Sequence, residues 1–192
     1  MIVTAASANP AKLRELAELF GSRLRLVPAP EPYRAPAESG TSYRENARIK
    51  AHALFAALGA AALADDSGLE VDCLGGRPGV HSARYGTEAA DRNRRLLDEL
   101  RGRVGEERRA RFRTAIVLVL ADGRELTADG HCEGEIAEAP RGSAGFGYDP
   151  LFLLPALDRT LAELTREEKN RFSARAEAAR ALIRELDRLG TY

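Results

Sequence analysis

The chain has 192 residues, 44% hydrophobic and 30% charged, which is enough for one sizeable core and predicts a single domain over 1–192. Lys plus Arg and Asp plus Glu number 29 each, so no net field draws it to a nucleic-acid polymer or an anionic membrane, and an anionic ligand must be held locally. No run approaches the roughly 20 apolar residues of a membrane span, Met1 leads straight into strand-like sequence without a charged leader, and Cys73 and Cys132 fit no paired metal spacing; the expectation is a cytoplasmic protein with reduced packing cysteines and no zinc.

In chain order, residues 2–6 predict a short strand, followed by Ser7-Ala8-Asn9-Pro10-Ala11-Lys12 and a helix with Leu13, Leu16, Ala17 and Phe20 on one face. Asn9 can cap that helix, Pro10 fits its first position, and Gly21 stops it. Free N–H groups and the positive helix end beside Ser7, Asn9 and Lys12 favour an anion, although an ordinary capped helix accounts for the same residues. Residues 24–27 predict a second strand, and 28–39 a Pro- and Ala-rich loop containing Glu38 near its end. Ser42-Tyr43-Arg44-Glu45 has capping-box spacing, and Tyr43, Ala47, Ala51, Leu54, Phe55 and Leu58 recur at helical intervals, so 43–58 predicts a helix. Lys50 lies one turn from Ala47 and Leu54, its stem along the core and its ammonium reaching either a cleft or the surface.

Residues 60–64 predict a buried strand from which the adjacent carboxylates Asp65 and Asp66 emerge into a turn made by Ser67 and Gly68. Paired carboxylates suit a hard metal or a water in the crevice where α/β folds bind ligands; a polar turn ending a strand is the plainer account. If the fold brings Glu38 and Asp66 together, they supply oxygen ligands of the kind Mg²⁺ takes beside phosphates and waters.

Residues 88–100 predict a further amphipathic helix and 101–111 a solvated charged connection. Residues 112–120 and 125–138 flank Ala121-Asp122-Gly123-Arg124, a tight-turn signal that predicts a long β-hairpin. In 142–150, three glycines permit close backbone approach, Phe146 offers a stacking face and Asp149 an acceptor, which are a nucleobase's needs but also those of a flexible turn with a core-plugging ring. Thr165-Arg166-Glu167-Glu168 repeats the capping-box spacing, and Ala176, Ala179, Ile183 and Leu186 give one terminal helix its apolar face; Lys169, Asn170, Ser173 and Arg175 stand at its start, where Arg175 could bond a purine carbonyl and Lys169 contact the ring. His52, His81 and His131 are scattered and are assigned no catalytic role. Helices and strands alternate around a hairpin, which predicts an α/β fold with a mixed, twisted sheet flanked by helices.

Five stretches coincide with one family: Ser7 to Lys12, residues 38–51, residues 64–85, residues 145–152 and residues 164–170. Over nearly its whole length the chain closely resembles the inosine/xanthosine triphosphate pyrophosphatase family. The resemblance implies a two-lobed α/β fold with the active cleft between the lobes, a homodimer, and Mg²⁺-dependent hydrolysis of deaminated purine nucleoside triphosphates (ITP, dITP, XTP) to monophosphate and pyrophosphate. It implies that Ser7, Ala8, Asn9, Pro10, Ala11 and Lys12 form the triphosphate cradle with Lys50, that Glu38 and Asp66 are metal ligands, and that Asp66 also activates the water. Ser67 looks like a substrate contact, and Phe146, Gly147, Tyr148, Asp149, Lys169 and Arg175 match base-pocket positions. Two residues depart from the pattern: Ala8 stands where the family has Gly, and Ala174 where it has the His of Ser-His-Arg, which bears on base discrimination. Rival readings are a nucleotide-binding regulatory module, a pyrophosphatase of broader or pyrimidine specificity, and a single-strand RNA binder, the last disfavoured by the neutral charge balance.

Overall fold

A computed structural model describes residues 1–7 and 9–190. Among them the chain runs through β1 (Ile2–Ala5), α1 (Pro10–Phe20), β2 (Arg25–Pro28), α2 (Tyr43–Leu58), β3 (Ala62–Val71), α3 (Ala89–Glu99), β4 (Arg109–Val119), β5 (Glu125–Ile136), β6 (Phe152–Leu154), β7 (Arg159–Thr160), α4 (Arg166–Phe172) and α5 (Ala174–Arg188), with short 3-10 turns between. The strands form a seven-stranded sheet in the order β2-β1-β3-β4-β5-β6-β7. β1 runs parallel to β2 and β3, whereas β6 runs antiparallel to β5 and β7, so the predicted mixed α/β sheet is what forms. β4 and β5 are joined by the expected tight turn, with Gly123 at φ +85° and its N–H donated to the Leu120 carbonyl.

The chain divides into two compact units, each assembled from separated stretches: residues 1–67, 114–130 and 174–192 in the first, 68–113 and 131–173 in the second. In the first unit the sheet is covered on both faces. Leu63 joins Val3, Ile116 and Leu118 against Leu16 and Phe20 of α1 and Ala179 and Leu182 of α5. Ala62 and Ala64 join Val117 and Val119 against Ala47, Ala51 and Leu54 of α2. Strand side chains alternate between faces, so β3 feeds two cores, one residue apart. The second unit buries Leu151, Phe152, Leu161 and Leu164, and Phe112 packs on Phe152 with ring centroids 4.7 Å apart.

Local cap chemistry sets the first two helices. Asn9 caps α1, with Pro10 at its first position and Gly21 at its end, and α2 starts with a complete Ser42/Glu45 capping box. Four expectations are corrected. β3 does not end at residue 64: it runs to Val71 and carries Asp65, Asp66, Ser67 and Gly68 within the strand, the carboxylates being compensated by cations from helices on either face. The terminal helix is two helices, because Ser173 is extended (φ −64°, ψ 146°) and ends α4 with its N–H on the Lys169 carbonyl. Residues 101–111 are not a wholly solvated connection, since Arg108 is buried and donates to the carbonyls of Ile136, Ala137, Leu100 and Arg103. Cys73 is not a packing residue: it is exposed in a one-turn 3-10 helix, while Cys132 is buried.

Candidate active site

Asp65 and Asp66 are 2% and 5% exposed, far below what charged side chains show without partners. Successive positions on β3 send them to opposite faces. Asp66 shares its face with α2. Its Oδ2 accepts from Asn46 Nδ2 at 3.1 Å, and its Oδ1 lies 3.7 Å from Lys50 Nζ. Lys50 Nζ in turn sits 2.7 Å from Glu38 Oε1, so one ammonium is bracketed by two carboxylates supplied by a loop and a strand. Asn46, fully buried, also accepts from the Gly40 N–H at 2.8 Å, tying the segment after Glu38 to the helix that faces Asp66. Gly40 has to lack a side chain there, because a Cβ would stand 2.6 Å from Glu45 Cβ and 2.8 Å from Asn46 Oδ1.

The electrostatics follow from this burial. Desolvation raises the Asp66 carboxyl above its ordinary range, Lys50 opposing and Glu38 adding to the rise. For Lys50, burial pulls the ammonium down, but Asp65, Asp66 and Glu38 outweigh it and hold the side chain charged above the usual lysine value. A cation is therefore favoured between Glu38 and Asp66. Among the described residues no group of three or more His, Cys, Asp and Glu side chains is arranged to hold a metal. Two carboxylates nevertheless suit a hard divalent cation that completes its shell with phosphates and water, and the ammonium they already bracket marks where positive charge is stable.

On the other face, Asp65 Oδ2 collects Lys12 Nζ at 3.2 Å and Arg175 Nε and Nη2 at 3.2 Å each. Asp65 Oδ1 is buried without a hydrogen-bond partner among the described residues. Arg175 also reaches Glu15 and Ser67 Oγ, the latter at 3.1 Å. Burial would raise Asp65, but Lys12, Arg175 and Lys50 outweigh it and hold the carboxyl well below the usual range. Burial lowers the Lys12 ammonium more than Asp65 restores it. The α1 N-terminus is less open than expected: Asn9 Oδ1 already accepts from the N–H groups of Ala11 and Lys12, and Ser7 Oγ from that of Asn9. Ala8 lies outside the described residues.

In the second unit, the loop after β5 is built around one carboxylate. Asp149 is buried, and its Oδ2 accepts from the Phe146 N–H at 2.8 Å and from Lys169 Nζ at 2.7 Å. Lys169 Nζ stands 4.9 Å over the half-buried Phe146 ring, a cation–π distance. Tyr148 is buried and donates to the Ser82 carbonyl at 2.9 Å. Gly145 (φ +75°) is required here: a side chain would be strained by the backbone and its Cβ would overlap the Asp149 carboxylate. Gly145→Ala is expected to destabilise the protein by about 1–3 kcal/mol, read as a lowered urea midpoint at unchanged slope.

The fold thus brings Glu38, Lys50 and Asp66 together on one face of β3, and Lys12, Ser67 and Arg175 with Asp65 on the other. Phe146, Asp149 and Lys169 form a separate cluster in the second unit, with Gly147 and Tyr148 in the same loop. Ala174 is buried and starts α5. Sequence reasoning passed over Asn46 and Glu15; the one legible signal for Asn46 was an amide on the buried stripe of a helix, where Asn is a poor helix former.

The family model described as the Ham1 family matches residues 3–185. A dITP/XTP pyrophosphatase of Thermus thermophilus is 50% identical over 188 residues, covering 95% of this chain and 90% of the relative. One from Bacillus subtilis is 43% identical over 191 residues, covering 95% of each. Among solved structures, the Staphylococcus aureus Ham1 protein superposes with a TM-score of 0.86 at 35% identity, covering 97% of this chain and 98% of that one. A nucleoside-triphosphatase, dITP/XTP pyrophosphatase, from Mycobacterium abscessus gives 0.75 at 42% identity, covering 97% and 99%.

Proposed function

This chain belongs to the Ham1 family, and from that membership we propose that it hydrolyses deaminated purine nucleoside triphosphates, ITP, dITP and XTP, to the monophosphate and pyrophosphate, and so clears them from the nucleotide pool. The relatives that carry the name dITP/XTP pyrophosphatase support the substrate class. The observation that carries the chemistry is the buried Lys50 ammonium held by the half-buried Glu38 and the buried Asp66, an arrangement in which positive charge is stabilised by two hard oxygen donors.

In this reading Glu38 and Asp66 would hold Mg²⁺, which when bound would supply Lewis-acid polarisation of phosphate oxygens. Lys12 and Lys50 neutralise the charge that develops on the triphosphate, and Ser7 to Lys12 cradle it around the capped start of α1. Asp66 accepts a proton from the water whose oxygen attacks the α-phosphorus, and the bond to the bridging oxygen breaks as pyrophosphate leaves. Ser67, beside Arg175, contacts the substrate. Phe146 stacks on the purine, with Gly147, Tyr148, Asp149 and Lys169 shaping its surroundings, and Arg175 reads the 6-oxo group. Ala174 offers no imidazole at the adjoining position, so discrimination against adenine rests on Arg175, Lys169 and Asp149. The reading extends to a cytoplasmic homodimer of one 192-residue catalytic domain; among the described residues no helix is long and apolar enough to cross a membrane.

The test is pyrophosphate release from inosine, deoxyinosine, xanthosine, adenosine and guanosine triphosphates, with Mg²⁺ and with chelator. Release confined to the metal-loaded reactions, and faster for the first three than for adenosine triphosphate, is expected. Binding of these nucleotides without release would make the chain a regulatory module, and equal rates on all five would leave a pyrophosphatase without 6-oxo preference.

A further inference from the structure

We propose that Asn93 is a positioning residue for nucleobase recognition: from α3 it holds the carbonyl of Gly147 and thereby fixes the loop that presents the Phe146 ring. This rests on the reading of that loop as the purine platform. Asn93 Nδ2 donates to the Gly147 carbonyl at 3.2 Å, across 54 residues of sequence. Gly147 is in the left-handed region (φ +64°), as is Gly145 (φ +75°), so Phe146 sits between two glycines whose backbone is not constrained by side chains of their own. The conformation has to be held from outside those glycines. Asp149 does so on one side of the ring by accepting the Phe146 N–H, and Asn93 on the other by donating to Gly147.

Three features say that Asn93 serves the loop rather than its own helix. It occupies the interior of α3, where Asn is a weak helix former. A carbonyl only accepts, so contact with Gly147 fixes which end of the amide points to it. The other end, Oδ1, is buried with no hydrogen-bond partner among the described residues, so it makes no bond to the α3 backbone that would brace the helix. The preceding residue repeats the pattern: Arg92 Nη1 donates to the carbonyls of Ala83 and Gly86 at 3.2 and 3.5 Å, bracing the segment whose Ser82 carbonyl receives the Tyr148 hydroxyl. α3 therefore grips the aromatic loop directly through Asn93 and, by way of the 3-10 turn at Gly79–Arg84, through Tyr148.

Calorimetric titration of wild type, Asn93→Ala and Asn93→Asp with inosine monophosphate and, separately, with inorganic tripolyphosphate tests this, alongside steady-state kinetics on inosine triphosphate. Losing one hydrogen bond that orders the platform is expected to weaken inosine monophosphate binding about fivefold to tenfold and to raise KM for inosine triphosphate in proportion, with kcat and tripolyphosphate affinity unchanged. Asn93→Asp keeps the shape but sets a carboxylate oxygen against the Gly147 carbonyl, and should weaken inosine monophosphate binding at least as much as Asn93→Ala. Equal weakening of both ligands, a fall in kcat at constant KM, or unchanged inosine monophosphate binding overturns the proposal. Unfolding of both variants also overturns it, by assigning Asn93 to the fold. Wild type that binds tripolyphosphate but not inosine monophosphate strikes instead at the purine reading on which the proposal rests.

Discussion

Asp66→Asn is expected to lower the turnover of inosine triphosphate by about 10²- to 10⁴-fold, the contribution of one well-placed general base, while the protein stays folded. The substitution keeps the side chain's volume and one carbonyl oxygen, which can still accept from Asn46 Nδ2. It removes a charge that burial disfavours and leaves Lys50 its closer partner Glu38 at 2.7 Å. Stability is accordingly expected to change little, so a fall in rate reads as lost chemistry. Pyrophosphate release gives the rate, and thermal denaturation gives the fold. Two outcomes sink the assignment: turnover at the wild-type level, or a melting temperature so reduced that the loss of rate is only loss of folded protein.

Where the chain announces its structure, it does so through short-range chemistry. Asn9-Pro10 and Ser42 with Glu45 place the starts of α1 and α2 correctly because a cap is made by residues within four positions of each other. The Asp122-Gly123 turn is legible for the same reason. The strand continuing through Asp65 and Asp66 is not legible because Asp, Ser and Gly are poor strand residues and burying two carboxylates is unfavourable in isolation. What reverses that is distant in sequence: Lys12 and Arg175 on one side, Asn46 and Lys50 on the other. The break at Ser173 was invisible to periodicity, since the stretches on both sides of it are helical and one extended residue leaves no compositional mark. Glu38 and Lys50 illustrate the intermediate case. Each was picked out singly, but their 2.7 Å contact depends on a loop whose course is set by Asn46 holding Gly40.

Asp65→Asn is expected to have the largest effect on stability, a loss of about 3–5 kcal/mol at neutral pH, because breaking a buried ion cluster from the acidic side strands the cations. Three donors from Lys12 and Arg175 converge on Asp65 Oδ2, and the Asp65 side chain is only 1% exposed. Arg175 would keep Glu15 as a counter-ion, but Lys12 would lose its nearest carboxylate. Burial already lowers the Lys12 pKa, so the ammonium can discharge in the variant and the loss should fall toward the lower end of that range. The pH dependence has a definite sign. The folded carboxyl is held below its ordinary value, so the stability it confers is present above the unfolded value of about 3.9 and is lost as pH falls through the folded one. Urea unfolding of wild type and variant should therefore show a wide gap at pH 7 that narrows progressively below about pH 4. A gap that stays constant across that window would mean the carboxylate acts through shape and hydrogen bonding, not charge. A variant as stable as wild type at pH 7 would mean that Lys12 and Arg175 are satisfied without it.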